Sequence, residues 1–289
     1  MSDVQRASLG RRVLLLDGHN LLYRAFTSLP MAITGPDGQP INAVYGMLST
    51  IIKLSRDHGA EHAVAAFDVP HIPTFRRDLY PAYQAQRGPL GSDHAEEFLR
   101  QVDLAQRILP LTSVPALTAP RYEADDIMGT LAIRLAGQGD TALIVSTDRD
   151  LLQLVRPGVE VLAPGTKGVH ARTAADVLAR LNVAPEGITT LKALAGDASD
   201  NIPGVRGIGM KTAADLANTH GSLEGIYQAL GSLPARTARL LVDGKEDAYL
   251  FRRLVTVVTD VGLPPVEESL PVLPFGAGTR AREILNRHT

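Results

Sequence analysis

Short apolar runs and amphipathic stretches alternate through the first half of the chain. Val13 to Leu16, Ala63 to Phe67 and Ala142 to Val145 are continuous apolar runs of strand length. Between them, apolar positions recur at helical spacing over Asn20 to Ser28, Ala43 to His58, Asp93 to Leu109 and Ala124 to Ala136. Strands without polar alternation are strands buried on both faces. The pattern therefore predicts an α/β fold, a mostly parallel sheet covered by helices on both faces. From about Thr173 the periodicity becomes helical, through "TAADVLARLN", "ITTLKALAG", "KTAADLANTH" and "AYLFRRLVTVV". Two regions are expected: an α/β region over 1–172 and a helical region over 173–289. A long connection, roughly 69–92, carries Arg76, Arg77, Arg87, Tyr80 and Tyr83. Connections of that length inside a compact domain are usually functional lids or mobile segments.

Composition narrows the class. A chain of 289 residues, 45% hydrophobic, can bury a substantial core. It has no cysteine, which excludes disulfides and thiolate metal sites. No leader-like apolar segment or membrane-length run is present, so a soluble, cytoplasmic protein without membrane contact is expected. A formal charge of -2 argues against a generally basic nucleic-acid binder and moves attention to where charge is placed.

The carboxylates recur at informative places. Asp17 ends the first strand, Asp68 the second, and Asp148 and Asp150 follow the third in "STDRD". Ligands of open parallel sheets bind beyond the carboxyl ends of the strands, so these four acids face one crevice. "YEADDIMG" opens a helix with Glu123, Asp125 and Asp126, and right-handed connections bring that N-terminus to the same edge. Dipole capping explains one or two such acids; three within four residues repel unless positive charge lies between them. Asp197 and Asp200 in "GDASDNIPG" bring the set to nine. Oxygen-only ligands suit Mg²⁺ or Mn²⁺ rather than zinc. Their number suggests two ions, as in phosphoryl-transfer sites. Further on, "NIPGVRGIGMKTAADL" sets Gly204, Gly207 and Gly209 before a helix that starts with Lys211 and Thr212. This reads as a helix-hairpin-helix that grips phosphates through backbone N–H groups without reading bases.

With these motifs in order, the chain resembles the bacterial 5′-nuclease or flap endonuclease family, in particular the 5′→3′ exonuclease domain of bacterial DNA polymerase I. The resemblance runs through "LLLDGHNLLYRAFTSLP", "AAFDVPHIPTFRRDLYPAYQAQR", "YEADDIMGTLA", "STDRDLLQLV" and "GDASDNIPGVRGIGMKTA". It implies that Asp17, Asp68, Glu123, Asp125, Asp126, Asp148, Asp150, Asp197 and Asp200 hold two or more divalent ions. It implies that Arg24, Arg76 and Arg87 steer phosphates, with Arg77 a further donor in the arch. It also implies that Tyr83 stacks near the substrate's terminal bases, and that the hairpin holds a monovalent cation, K⁺. The expected partner is DNA with 5′ flaps or 5′ ends, RNA-containing 5′ segments among them, in replication and repair; protein partners are unknown. One position departs from the family pattern: Gln84 stands where a lysine usually follows the arch tyrosine, and no lysine occurs between Lys53 and Lys167. The chain stops at Thr289 without polymerase or proofreading segments, which fits a stand-alone nuclease or an excised domain. Two other readings stay open from sequence: a branched-DNA-binding relative without chemistry, and a metal-dependent ribonuclease on a similar sheet.

Overall fold

The computed structural model describes residues 10–86, 94–165, 168–275 and 280–288. A six-stranded sheet in the order β3-β2-β1-β4-β5-β6 organises the first part of the chain. Its strands are β1 (Arg12–Asp17), β2 (His62–Phe67), β3 (Ala116–Thr118), β4 (Thr141–Val145), β5 (Val159–Gly165) and β6 (Gly168–Arg172). The first five are parallel and β6 closes one edge antiparallel. The α/β class and both-face burial follow the apolar pattern. In β1, Val13 and Leu15 enter one core and Leu14 and Leu16 the other, as the two-residue period of a strand requires.

One face is covered by α1 (Gly18–Ser28), α2 (Asn42–His58) and α4 (Ala95–Leu111), with α12 (Ala281–His288) packed against α2 and α4. A short helix α3 (Phe75–Leu79) lies in the long connection after β2. The other face is covered by α5 (Ala124–Gly137), whose Ile127, Leu131 and Leu135 share a core with the C-terminal helices. Those are α6 (Ala174–Leu181), α7 (Ile188–Ala195), α8 (Met210–His220), α9 (Leu223–Gln228), α10 (Ala235–Asp243) and α11 (Lys245–Val255). Among them α7 packs against both α8 and α11.

Three strands escape the apolar pattern. β3 spans only three residues, and β5 and β6 at the sheet edge carry Glu160, Pro164, His170 and Arg172. Such segments lack a clean period, and pairing decides them: β3 with β2, β5 with β4 and β6 with β5. The helix expected to stop at Leu109 runs on to Leu111 and carries Pro110 in its last turn. Among the described residues no helix is long and apolar enough to cross a membrane.

Candidate active site and nucleic-acid interface

A cleft of about 950 Å³ lies beyond the carboxyl ends of the strands. Asp17, Asp68, Glu123, Asp125, Asp148, Asp150 and Asp200 all line it. The convergence is built locally. Asp17, the last residue of β1, caps α1 by accepting from the Asn20 backbone N–H at 3.1 Å, and its other oxygen accepts from the Ser146 hydroxyl at 2.6 Å. Asp68 accepts from the Ala124 N–H at 2.8 Å, which ties the end of β2 to the start of α5. Asp148 accepts from the Asp150 N–H at 2.9 Å. The side chains of Asn20 and Thr147 bond to each other at 2.8 Å and hold α1 against the β4 loop. Sequence does not single out Ser146, Asn20 and Thr147; their signal is adjacency to the acids, which alone does not separate a partner from a bystander.

Burial dominates the electrostatics, and mutual repulsion adds to it. Burial lifts the Asp17 carboxyl from its ordinary 3.8 to about 7, with Asp68 and Asp148 adding to it and the Ser146 and Asn20 bonds opposing it. Burial also lifts Glu123 from 4.5 to about 7 against the pull of Arg76. Asp125 is pushed well above the carboxylate range by burial, then by Asp148, Asp17, Glu123 and Asp150. Acids raised this way give a group that takes up protons or cations readily. Their oxygen-only donor set fits a hard divalent ion, and the same oxygens would hold it.

The sign of the pH effect follows. Between roughly pH 4 and pH 7 the folded chain holds protons on Asp17 and Glu123 that the unfolded chain has released, so metal-free stability falls as pH rises through that window. Divalent ions need the deprotonated forms and compete with those protons. The rise in melting temperature on adding Mg²⁺ is therefore expected to be larger at pH 8 than at pH 5. Equal shifts at both pH values would contradict this account.

A second group forms around Asp150. Oxygens of Asp150, Asp197 and Asp200 fall within 4.8 Å of one another. The Lys192 ammonium donates to Asp150 and, at 2.5 Å, to Asp197. Burial raises Asp150 to about 6 although Lys192 pulls it down. Burial opposes the charge on Lys192, yet Asp150 and Asp197 overcome it and hold the ammonium at about 12. Sequence reasoning missed Lys192, because a lysine inside an ordinary amphipathic helix carries no motif.

Three expectations are corrected by position. Asp126 is fully buried behind the cleft: its carboxylate pairs with both Arg76 guanidinium nitrogens at 2.7 Å and accepts from the N–H groups of Glu123 and Val258. With its lone pairs taken inside the protein it is not a metal ligand in this structure. Arg76 is 2% exposed and also donates to the Leu254 and Thr256 carbonyls, so in this structure its guanidinium is committed to the fold at the cleft's edge. Tyr83 is 3% exposed, its hydroxyl 3.2 Å from Glu123, which removes its ring from base stacking in this arrangement. Gly204, with φ +71°, must be glycine at this close approach, because a Cβ there would lie 2.3 Å from the Gly196 nitrogen.

The other candidates divide as follows. Gln84 donates to Asp200 at 2.9 Å and to the Tyr83 hydroxyl at 3.0 Å, so the residue at the usual lysine position faces the second acidic group. Arg77 is exposed on the cleft wall. Arg24 is half-buried on α1 and is not among the cleft-lining residues. Arg87 lies outside the described residues. In the hairpin, Gly207 has φ +86° and Gly209 leads into α8 with open space where a Cβ would sit. Lys211 is exposed and Thr212 half-buried on the first turn of α8. Arg206, at the hairpin tip, is exposed beside them and was overlooked because the glycines carried the motif.

Known proteins share this architecture. Residues 12–182 match the family model described as 5′-3′ exonuclease, N-terminal resolvase-like domain, and residues 183–275 match 5′-3′ exonuclease, C-terminal SAM fold. The thermostable DNA polymerase I of Thermus thermophilus is 39% identical over 252 residues, 87% of this chain. DNA polymerase I of Mycobacterium bovis is 35% identical over 266 residues, 91% of this chain. The chain spans 29% of the length of each of these relatives. A solved structure of T5 5′-exonuclease with bound zinc ions superposes with a TM-score of 0.69 at 26% identity, covering 86% of this chain and 90% of that one. With both halves matched in order, this chain belongs to the 5′-3′ exonuclease family, pairing a resolvase-like N-terminal domain with a C-terminal SAM fold.

Proposed function

We propose that the chain is a structure-selective 5′-nuclease, hydrolysing DNA phosphodiesters at 5′ flaps and 5′ ends with two divalent ions, Mg²⁺ or Mn²⁺. The observation that carries this reading is the convergence of seven carboxylates on one cleft at the strand ends. The T5 relative, solved with divalent zinc ions bound, supports the metal part. Asp17, Asp68, Glu123, Asp125 and Asp148 would hold one ion, and Asp150, Asp197 and Asp200 the other. When bound, such ions supply a nucleophile at neutral pH and neutralise charge on the attacking and leaving oxygens.

The chain's own groups orient these ligands. Ser146 and the Asn20 N–H fix Asp17, the Ala124 N–H fixes Asp68, and the Tyr83 hydroxyl meets Glu123. Exposed Arg77 on the cleft wall meets backbone phosphates. The hairpin, with Arg206, Lys211 and the free N–H groups at the start of α8, grips the duplex away from the cut. K⁺ at the hairpin, RNA-containing 5′ segments as substrates, and residues 173–289 as the DNA-binding region belong to the same proposal.

The test compares a 5′-flap duplex with single-stranded RNA, in Mg²⁺ and in chelator. Flap cleavage dependent on Mg²⁺ is expected. Cleavage of the RNA alone favours the ribonuclease reading, and flap binding without cleavage favours a relative that has lost chemistry. In the same assay, duplex affinity should fall steeply with salt, and the pair Arg206→Ala and Lys211→Ala should lower the log–log salt slope by about 2, roughly one per lost phosphate contact.

A further inference from the structure

Lys192 projects from α7 into the group formed by Asp150, Asp197 and Asp200 and bonds to two of its three acids. Its side chain is 14% exposed, so these bonds are made largely out of water. A small divalent ion coordinates oxygens at about 2.0–2.1 Å and needs the lone pairs that the ammonium now uses. Two cations cannot share those oxygens at such separation without strong repulsion in a partly desolvated site.

Resting on the two-ion reading above, we infer that the Lys192 ammonium is the resident counter-cation of the Asp150/Asp197/Asp200 position, and that an ion enters there only by displacing it. In the metal-free chain Lys192 holds Asp150 and Asp197 together. On loading, the ion takes over that task and the ammonium moves off on its flexible four-carbon stem. The second ion therefore binds more weakly than the acid count alone predicts. Lys192 pairs with Asp150 and Asp197, and the Gln84 amide donates to Asp200.

The test is Mn²⁺ binding to the DNA-free full chain, by calorimetry, for the native protein and for Lys192→Met, which keeps the stem and removes the charge. The weaker of the two sites is expected to tighten at least tenfold in the variant while the stronger is unchanged. A variant whose weaker site is equal or weaker overturns the inference. If Lys192→Met fails to fold, the native chain decides by itself. It has only five lysines, so ¹⁵N-lysine labelling resolves each ammonium. The Lys192 signal should be protected from exchange without metal and lose protection as Mg²⁺ fills the second site. Protection that persists at saturation overturns the inference. Absence of any ion binding, at either site, overturns the two-ion reading itself and the inference with it. One tight ion that leaves Lys192 unmoved, with no second ion in either protein, overturns the inference alone.

Discussion

Arg76→Ala is expected to lower the stability of the protein by about 3–5 kcal/mol, the usual cost of removing one partner of a buried ion pair. The guanidinium donates twice to Asp126 at 2.7 Å, lies 3.0 Å from Glu123, and reaches the carbonyls of Leu254 and Thr256. It thereby joins three segments far apart in sequence: α3, the start of α5 and the end of α11. Its removal leaves the Asp126 carboxylate fully buried with only two backbone donors. Typical domains are stable by only about 5–15 kcal/mol, so a loss of this size is severe. Arg76→Lys should recover little, because one ammonium cannot span two carboxylate oxygens and two carbonyls. Urea denaturation with and without Mg²⁺ measures the effect. Unchanged stability together with weakened DNA binding would return Arg76 to phosphate steering.

The adjacent pair Asp125 and Asp126 gives the second large effect. Asp125→Asn should abolish cleavage, with a loss exceeding the ~10–100-fold typical of groups that only support metal ligands. Duplex binding should persist, since a negative charge leaves the cleft. Asp126→Asn should instead cost stability, because its oxygens face Arg76 and two backbone N–H groups and not the cleft. Single-turnover cleavage and urea denaturation on both variants separate the roles. Near-normal turnover of Asp125→Asn at saturating Mg²⁺, or loss of chemistry without loss of stability in Asp126→Asn, would reverse the assignments.

That pair marks the limit of what the chain discloses when read linearly. "EADD" shows three acids at a helix start, and charge repulsion says that something positive must lie among them. It does not say that the positive group for Asp126 is an arginine 50 positions earlier in the chain. The arch motif likewise carries Arg76, Tyr83 and Gln84 close together, and sequence treats all three as facing substrate. Folding sends Arg76 and Tyr83 inward and turns Gln84 onto Asp200. Lys192 shows the converse case: no motif distinguishes it, and only the packing of α7 beside the Asp148 to Asp150 loop gives it a role.

By itself the sequence determined the parallel sheet, the helical C-terminal part, and the placing of Asp17, Asp68, Asp125 and Asp148 at strand and helix ends facing one edge. These depend on local periodicity and on the handedness of connections, which neighbouring residues encode. Only the tertiary structure decided which acids keep free oxygens, which cations neutralise the rest, and that β5 and β6 complete the sheet. Those outcomes depend on burial and on partners distant along the chain. A carboxylate's chemistry is set by what surrounds it, and its surroundings exist only once the chain has folded.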